Sequence, residues 1–464
     1  MLRDSVRLAQ SSVNIAASHL FAEIEESPAV QSLARRLEND GVFSFSGIAA
    51  PAWPFIAALL KKNFPERPIV AVTENLKAQE SFLQDLETWL NVDSETPAPL
   101  LFFPEWEVFP HEGKLPHSDV ISDRLQTLAT LSDNTQAGAA PVIVTSVAAL
   151  LQKTFAPADL KKRARRMQRG DKIAPLDLIE WLEEQGYEPE AQVSQKGEIA
   201  LRGGIVDIFP SAALWPVRLE FFGDELESLR EFDPLTQISR GEISAVTIPP
   251  AGELGILKHN AGTRQLSILP GYLPPETIFL FCEPGQLSAR ADKYTSQIPA
   301  DDAFFIPWEN FQKAVEEKGF TMVNLTEADA EDGSPVADNP RFQSLEAFRP
   351  LGERAANPQI AEAQRREFFN QLHRWMRQDY SVHVFCNNDG ERQRFREIWA
   401  DLAGRSACPP LHIGSLSRGF ICDEAKFVVV TDAEIFGRYK IQRPRKLKSS
   451  HALAARSALD IDFA

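Results

Sequence analysis

Three residues near the middle of the chain have the types and spacing of a partner-binding surface. Apolar and polar residues alternate from 217 to 222, and the following Gly223-Asp224 pair is typical of a hairpin turn. Because side chains alternate across a strand, Arg218, Glu220 and Phe222 share one face. A large aromatic ring beside charged groups that must reach water is difficult to bury. Exposed Phe next to Arg is typical of a binding hot spot, so the pattern indicates protein docking.

Arg202 is a further candidate for this surface, because it closes a short apolar run just before Gly203-Gly204. The pattern alone leaves two interpretations open. In the first, Arg202, Arg218 and Phe222 together form a docking surface. In the second, both arginines make solvated salt bridges and Phe222 covers a second apolar layer, since single exposed apolar residues are normal on protein surfaces.

The elements that must position these residues follow from the hydrophobic pattern. Alternation persists from 186 to 253 through several runs separated by turn residues, which predicts a small antiparallel β module. Outside this stretch, strand patterns at 67–72, 141–145 and 277–282 are each followed by a helical pattern. A similar strand and helix are predicted over 382–399. This rhythm predicts α/β sheets on both sides of the β module.

Composition limits the class of protein. A chain of 464 residues with 44% hydrophobic and 25% charged residues is typical of a globular protein of about three domains. Its net charge of −16 argues against a protein that grips nucleic acid over its whole surface. The strongest basic run, Lys161 to Arg169, could contact DNA phosphates, but it lacks interleaved aromatic residues. A solvated strand or linker is therefore favoured for this run.

Cysteine and histidine usage indicates no metal site and no disulfide framework. The 4 cysteines form no CxxC pair, and no histidine stands at ligand spacing from them. His111 and His117 lie on a proline-bounded loop without local partners, so a ligand role is not expected. The N-terminus lacks the apolar run of a signal peptide, and no stretch approaches eighteen consecutive apolar residues. These features predict a protein of the reducing cytoplasm without a membrane segment.

At the residues of the predicted surface, the sequence resembles a known family. The segments RGGIVDIFP (202–210) and PVRLEFFGDELESLREFDPLTQ (216–237) are similar to the signature of the UvrA-binding domain. That domain is shared by the excision-repair protein UvrB and the bacterial transcription-repair-coupling factors. The resemblance implies a binding site for UvrA, in which Arg202, Arg218 and Phe222 match the two arginines and the phenylalanine of the family's contact.

The resemblance also concerns a strand, loop and helix predicted over 42–60, where UvrB has a nucleotide-binding P-loop. A P-loop needs a lysine, a hydroxyl group for magnesium, and free backbone N–H groups around the phosphates. In the loop that includes Gly47, Trp53 stands at the lysine position and Pro54 at the hydroxyl position, and Pro51 and Pro54 lack an N–H. ATP binding in this mode is not expected. The same loss is a feature of the coupling factors and not of UvrB.

The architecture that the resemblance implies is an α/β multidomain protein. A UvrB-like α/β domain with a degenerate P-loop is expected over 1–160 and 249–340, interrupted by a β-rich UvrA-binding module at 161–248. A small α/β domain at 341–448 and a tail or linker at 449–464 complete the expected organisation.

The function that the resemblance implies is an adaptor that recruits UvrA to damaged DNA at stalled RNA polymerase. No catalysis and no cofactor are expected from these 464 residues. In the whole family member, ATP and magnesium act in motor domains that would follow Ala464 and that translocate on double-stranded DNA, and a further domain there binds RNA polymerase. The chain is then an N-terminal part of such a protein or a short relative. The alternatives are a UvrB-like ATPase or helicase subunit and a DNA-binding module.

Overall fold

The computed structural model describes residues 20–21, 31, 35–37, 41–92, 97–132, 139–259, 266–328, 340–348, 358–403 and 407–436. The predicted tail at 449–464 lies outside the described residues.

The first part of the chain alternates strands and helices. Its elements are β1 (Val42–Phe45), α1 (Trp53–Asn63), β2 (Ile69–Thr73), α2 (Leu76–Val92), β3 (Leu100–Phe103), α3 (Ser118–Ser132), β4 (Val142–Ser146), α4 (Val147–Leu151), β5 (Thr154–Phe155) and α5 (Pro157–Arg163).

The middle part is rich in strands. Its elements are β6 (Arg165–Gln168), α6 (Pro175–Glu184), β7 (Glu188–Pro189), β8 (Glu198–Arg202), β9 (Ile205–Ile208), β10 (Val217–Phe222), β11 (Glu225–Phe232), β12 (Ser239–Glu242) and β13 (Ala245–Ile248).

The last part returns to alternating strands and helices. Its elements are α7 (Leu254–His259), β14 (Leu266–Ser267), β15 (Ile278–Cys282), α8 (Pro284–Thr295), α9 (Trp308–Glu317), β16 (Thr321–Leu325), β17 (Gln343–Ser344), α10 (Pro358–Arg377), β18 (Ser381–Cys386), α11 (Asp389–Ala403), β19 (Leu411–Ile413), β20 (Phe420–Cys422), β21 (Phe427–Thr431) and α12 (Asp432–Phe436).

A six-stranded sheet in the order β1, β16, β15, β2, β4, β3 forms the first α/β unit, and all of its strand pairs are parallel. Every residue of β2, β4 and β15 is buried. Continuous buried apolar runs are typical of parallel strands, because helices cover both faces of the sheet. Strands from before and after the β-rich part join in this sheet, so the chain leaves it and returns to it.

The β-rich part forms a second sheet, also of six strands, in the order β12, β11, β10, β9, β8, β7. Its pairs are antiparallel apart from the two-residue β7, which runs parallel to β8. One face packs against α6, with Leu178 and Leu182 of the helix in the same buried cluster as Leu219 and Leu229. The predicted β module is therefore confirmed as a sheet with its own small core.

A third sheet has five strands in the order β17, β20, β21, β18, β19. The strand β21 ends at Thr431, and helix α12 follows it directly. The cause is local, because the Glu434 carboxylate accepts hydrogen bonds from the Thr431 N–H at 2.8 Å and from the Thr431 hydroxyl at 2.7 Å. The Thr431 hydroxyl in turn accepts from the Ala433 N–H at 3.2 Å. This is a capping box, which starts a helix.

Helices α1 and α2 lie against both the first and the third sheet. The Phe55 ring of α1 is 5.4 Å from the Phe420 ring, and the Trp89 ring of α2 is 5.0 Å from the Phe385 ring, measured between centroids. These side chains belong to one buried cluster together with residues of the first sheet, such as Leu280. The two α/β units therefore share a hydrophobic core.

A fully buried ion pair joins the β module to the first α/β unit. Arg124 of α3 donates to the Glu253 carboxylate at 2.7 Å and 3.1 Å, and both side chains are inaccessible to solvent. Glu253 directly precedes α7, where the chain returns from the module. The carboxylate also accepts from the Trp106 indole at 2.9 Å and from the Thr154 hydroxyl at 2.7 Å.

These contacts satisfy both charges. Besides Glu253, the Arg124 guanidinium donates to the Pro104 carbonyl oxygen at 2.8 Å, and it lies over the Phe103 ring at 4.2 Å. Such a pair contributes little more stability than a pair of apolar side chains of similar volume. The loss of one partner, however, leaves an uncompensated charge in a site without water. The pair therefore fixes the geometry of the module's return to the α/β unit.

Replacing Arg124 by methionine should lower the free energy of unfolding by about 3–5 kcal/mol, because the Glu253 carboxylate stays buried without its cation. Urea unfolding followed by circular dichroism measures the change. Arg366→Met is the matched control, since Arg366 pairs with Glu362 at 2.8 Å on the exposed face of α10, and its loss should cost less than about 1 kcal/mol. Equal stability of the two variants would contradict the structural role of the buried pair.

Candidate partner-binding site

The hairpin of β10 and β11 positions the central residues of the candidate site. Gly223 has a φ of +61°, a left-handed conformation that glycine adopts without strain, and it allows the tight turn between the two strands. Along β10, Val217 and Leu219 are buried in the module core. The alternate residues face the other way, and Phe222 is 77% exposed. We call this side of the sheet the Phe222 face.

Arg218 lies on the Phe222 face with its guanidinium fixed by a neighbouring strand. Asp207 of β9 stands opposite Arg218 in the ladder and accepts two hydrogen bonds from it, at 2.7 Å and 2.8 Å. The guanidinium also lies over the Phe232 ring, 4.6 Å from its centroid. The hydrogen bonds to Asp207 raise the pKa of Arg218. Its side chain keeps 18% of its surface exposed, so a partner can contact it without reorienting it.

Arg202 ends β8 and is exposed. Its guanidinium donates to the Ala191 carbonyl oxygen at 2.6 Å, which holds the side chain against the sheet. The ladder places Arg202 opposite Ile205 of β9, and Ile205 opposite Glu220 of β10. Directly paired residues project from the same face of a sheet, so Arg202 shares a face with Arg218 and Phe222.

Glu220 lies between Arg218 and Phe222 on β10. Its carboxylate accepts from the Ser228 hydroxyl at 2.5 Å and is 3.5 Å from the Arg230 guanidinium. The alternation along β10 predicted that Glu220 lies on this face, but not its bonds to Ser228 and Arg230. The role of Asp207 was not predicted either, although an acidic residue within an otherwise apolar strand signals a buried charge in need of a cation.

The loop after β1 has its backbone N–H groups already bonded within the protein. The N–H groups of Gly47, Ile48 and Ala49 donate to carbonyl oxygens of Ala328, Thr326 and Phe342, at 3.2, 3.0 and 2.8 Å respectively. The Ala50 N–H donates to the Glu327 carboxylate at 2.7 Å. The acceptors come from the segment after β16 and from the residue before β17.

Trp53 and Pro54 begin α1 directly after this loop. The Trp53 indole N–H donates to the Ile48 carbonyl oxygen at 2.8 Å, so the side chain at the lysine position folds back onto the loop. An open cavity of 860 Å³ beside the loop is lined by five carboxylates and two cations. The carboxylates belong to Glu74, Glu80, Asp85, Glu283 and Glu327, and the cations are Lys77 and Arg418.

The basic run from Lys161 to Arg169 forms the last turn of α5 and then β6. Arg163 lies over the Phe155 ring at 5.5 Å, and Arg165 lies over the Trp181 ring at 5.6 Å. Met167 belongs to the core of the β module. Arg163, Arg165 and Met167 thus pack where the module leaves the α/β unit. The other basic side chains of the run, Lys161, Lys162, Arg166 and Arg169, are exposed.

The cysteines and histidines considered from the sequence lie mostly in the α/β units. Cys282, Cys386 and Cys422 are buried, Cys408 is exposed, and all four are free thiols. Burial raises the pKa of Cys386 to about 12, so its thiolate is suppressed at neutral pH. Within the described ranges, no group of three or more His, Cys, Asp or Glu residues could hold a metal ion. No helix that the structure describes is long and apolar enough to cross a membrane.

Comparison with known proteins agrees with the position of the β module. The family model of the UvrB interaction domain matches residues 166–254. The transcription-repair-coupling factor of Haemophilus influenzae is 36% identical over 151 residues, which cover 32% of this chain and 13% of that protein. The factor of Escherichia coli is 37% identical over 149 residues, covering 32% of this chain and 13% of that protein.

A longer alignment is found with the transcription-repair-coupling factor of Staphylococcus aureus. It is 22% identical over 458 residues, which cover 85% of this chain and 38% of that protein. The chain thus spans much less than two thirds of the length of these relatives. Residues 166–254 are similar to the UvrB interaction domain, and the chain resembles the N-terminal region of the transcription-repair-coupling factors, as the sequence predicted.

Proposed function

We propose that this chain is an adaptor that binds UvrA through the Phe222 face and thereby links transcription to nucleotide excision repair. The observation that supports it most directly is Phe222 itself, a large aromatic side chain with 77% of its surface in water. A ring in this position contributes nothing to the module's core. It is available for a partner, and Phe, Arg and similar residues dominate the energetics of protein interfaces.

The arrangement around Phe222 suits a preformed docking site. Asp207 and the Phe232 ring fix the Arg218 guanidinium, and the Ala191 carbonyl holds that of Arg202. Ordering a long side chain on binding costs roughly 0.5–1.5 kcal/mol, and side chains that are already held avoid part of this cost. We therefore assign Arg202, Arg218 and Phe222 as the contact with UvrA.

We further infer that the loop from Gly47 to Pro54 is a degenerate P-loop that does not hold a nucleotide. Four consecutive N–H groups that a phosphate would need are bonded to protein oxygens. The Glu327 carboxylate stands as an anion at the Ala50 N–H, and the other carboxylates of the adjoining cavity would repel a triphosphate. Trp53 stands where a P-loop has its lysine, so this position supplies no positive charge for a phosphate. The UvrB-like ATPase or helicase alternative is therefore disfavoured.

We infer that the activities implied for the longer relatives lie in parts outside these 464 residues. In a protein of the relatives' length, ATP hydrolysis with magnesium, translocation on double-stranded DNA and binding of RNA polymerase would lie in other domains. The chain would then supply the link to UvrA. The shared core of the two α/β units would give the module a single rigid base.

Arg202→Glu and Phe222→Ala should each weaken UvrA binding by about 2 kcal/mol or more, the usual scale of hot-spot residues. The first change reverses a charge, and the second removes the exposed ring. Isothermal titration calorimetry of the chain against purified UvrA measures the effect. Leu115→Ala is the matched control, because Leu115 is an exposed apolar residue of the α/β unit outside the Phe222 face. Unchanged affinity in both site variants would refute the assignment.

Magnesium-ATP should show no saturable binding at micromolar concentrations, and equilibrium dialysis with labelled nucleotide measures this directly. The double variant Trp53→Lys, Pro54→Thr restores the missing lysine and hydroxyl. It should still fail to bind, because the acceptors of the Gly47 to Ala50 N–H groups remain in place. Micromolar affinity in the unmodified chain would show that the loop can open, and the degenerate assignment would be wrong.

A further inference from the structure

Exposed large apolar side chains are concentrated in the β module. Half of those in the described residues lie between 176 and 238: Leu176, Leu201, Leu214, Phe222, Leu235 and Ile238. The β module itself contains far less than half of the residues of the chain. Phe222 lies at the hairpin end of the sheet, whereas Leu214, Leu235 and Ile238 lie beyond the other end of the β10 and β11 strands.

Leu235 and Ile238 are presented by a hydrogen-bonded loop between β11 and β12. They are 69% and 68% exposed. The Asp233 carboxylate accepts from the Leu235 N–H at 2.8 Å and from the Thr236 N–H at 3.0 Å. The Asp233 N–H donates to the Ile238 carbonyl oxygen at 2.9 Å and closes the loop. The two apolar side chains are therefore held outward by a hydrogen-bonded turn.

Arg240 and Trp215 form a second stacked pair next to this loop. The Arg240 guanidinium lies 3.9 Å from the centroid of the largely buried Trp215 ring, and Leu214, 55% exposed, directly precedes the tryptophan. The pair repeats the arrangement of Arg218 on Phe232. Arginine and tryptophan are among the residues most enriched in hot spots.

One short segment connects this region to the residues already assigned. The Arg202 guanidinium donates to the Ala191 carbonyl at 2.6 Å, and the Gln237 amide donates to the Val193 carbonyl at 3.1 Å. Val193 packs in a small buried cluster with Phe232, beneath the Arg218 guanidinium. The segment from Ala191 to Val193 thus contacts both Arg202 and the loop that presents Leu235 and Ile238.

The size of a stable interface requires such an extension. Each partner in a typical specific complex contributes roughly 800 Å² and 20–30 residues, which three side chains cannot provide. From Val217 to Phe222 the strand covers about 17 Å at roughly 3.3 Å per residue. The loop at 233–238 lies just beyond that distance, within the dimensions of one interface.

We propose that the UvrA-docking surface has a second apolar anchor, formed by Leu235 and Ile238 and flanked by Arg240 stacked on Trp215. UvrA then contacts the module at both ends of the sheet, with Arg218 between them. This inference rests on the proposed function and adds a contact that the resemblance does not supply.

The test compares the double variant Leu235→Ser, Ile238→Ser with the unmodified chain in binding to purified UvrA. Loss of both side chains should weaken binding at least tenfold, with the dissociation rate rising more than the association rate falls. Leu115→Ser is the matched control and should bind normally. Both replaced residues are mostly exposed, so thermal unfolding should be unaffected. If the double variant changes thermal unfolding, Leu235→Ala and Ile238→Ala are measured singly. Each should weaken UvrA binding at least threefold.

A second measurement does not depend on any variant. Hydrogen exchange of the unmodified chain should slow at residues 233–240 when UvrA is added, as it should around Phe222. Unchanged exchange in that loop, or normal affinity of the double variant, would overturn the second anchor.

The outcomes separate this inference from the proposed function. If Phe222→Ala weakens binding and the double variant does not, UvrA docking stands and the second anchor is wrong. If neither changes the affinity, or the unmodified chain does not bind UvrA, the proposed function itself fails. A double variant that alters only the chain's own association state would identify the Leu235 and Ile238 patch as a contact between copies, which also overturns the inference.

Discussion

The buried pair of Arg124 and Glu253 determines how the two kinds of architecture in this chain are joined. Two opposite charges without access to water tolerate little displacement, because each depends on the other and on the donors and acceptors around them. Trp106 and Thr154 supply two of those donors from the first α/β unit. The return of the chain from the β module is therefore fixed chemically as well as by packing.

The Phe222 face follows from the two-residue period of β10. The same alternation that places Leu219 in the core leaves Phe222 in water, so the exposed ring results from the pattern that stabilises the module. Its charged neighbours are not simply solvated. Arg218 is fixed by Asp207 and Phe232, which removes much of its rotamer freedom before any partner arrives. The two interpretations left open by the sequence are thus partly combined: Arg218 does make a salt bridge, and Phe222 remains exposed further along the same strand.

The strand, loop and helix framework that begins with β1 has its loop N–H groups bonded within the protein. Their acceptors lie in the segment that follows β16 and at Phe342, just before β17. The Glu327 carboxylate places a negative charge at the Ala50 N–H. Once these donors are satisfied, the framework needs no ligand for its stability. Helices α1 and α2 instead contribute to the core that the two α/β units share.

Interactions between sequence neighbours were largely predictable, and those between distant segments were not. Period-two alternation predicted β10 and the outward direction of Phe222, and buried apolar runs predicted the parallel strands. The partners of Arg124 and Ala50 lie 129 and 277 residues away, and no local pattern identifies them. The contact of Trp89 with Phe385 likewise depends on how two separately predicted units pack. The helix after Thr431 is different, since the capping box of Thr431 and Glu434 is a signal within a few neighbouring residues. Sequence patterns thus indicate which side chains face outward, whereas the contacts that hold those side chains in place join segments that only the fold brings together.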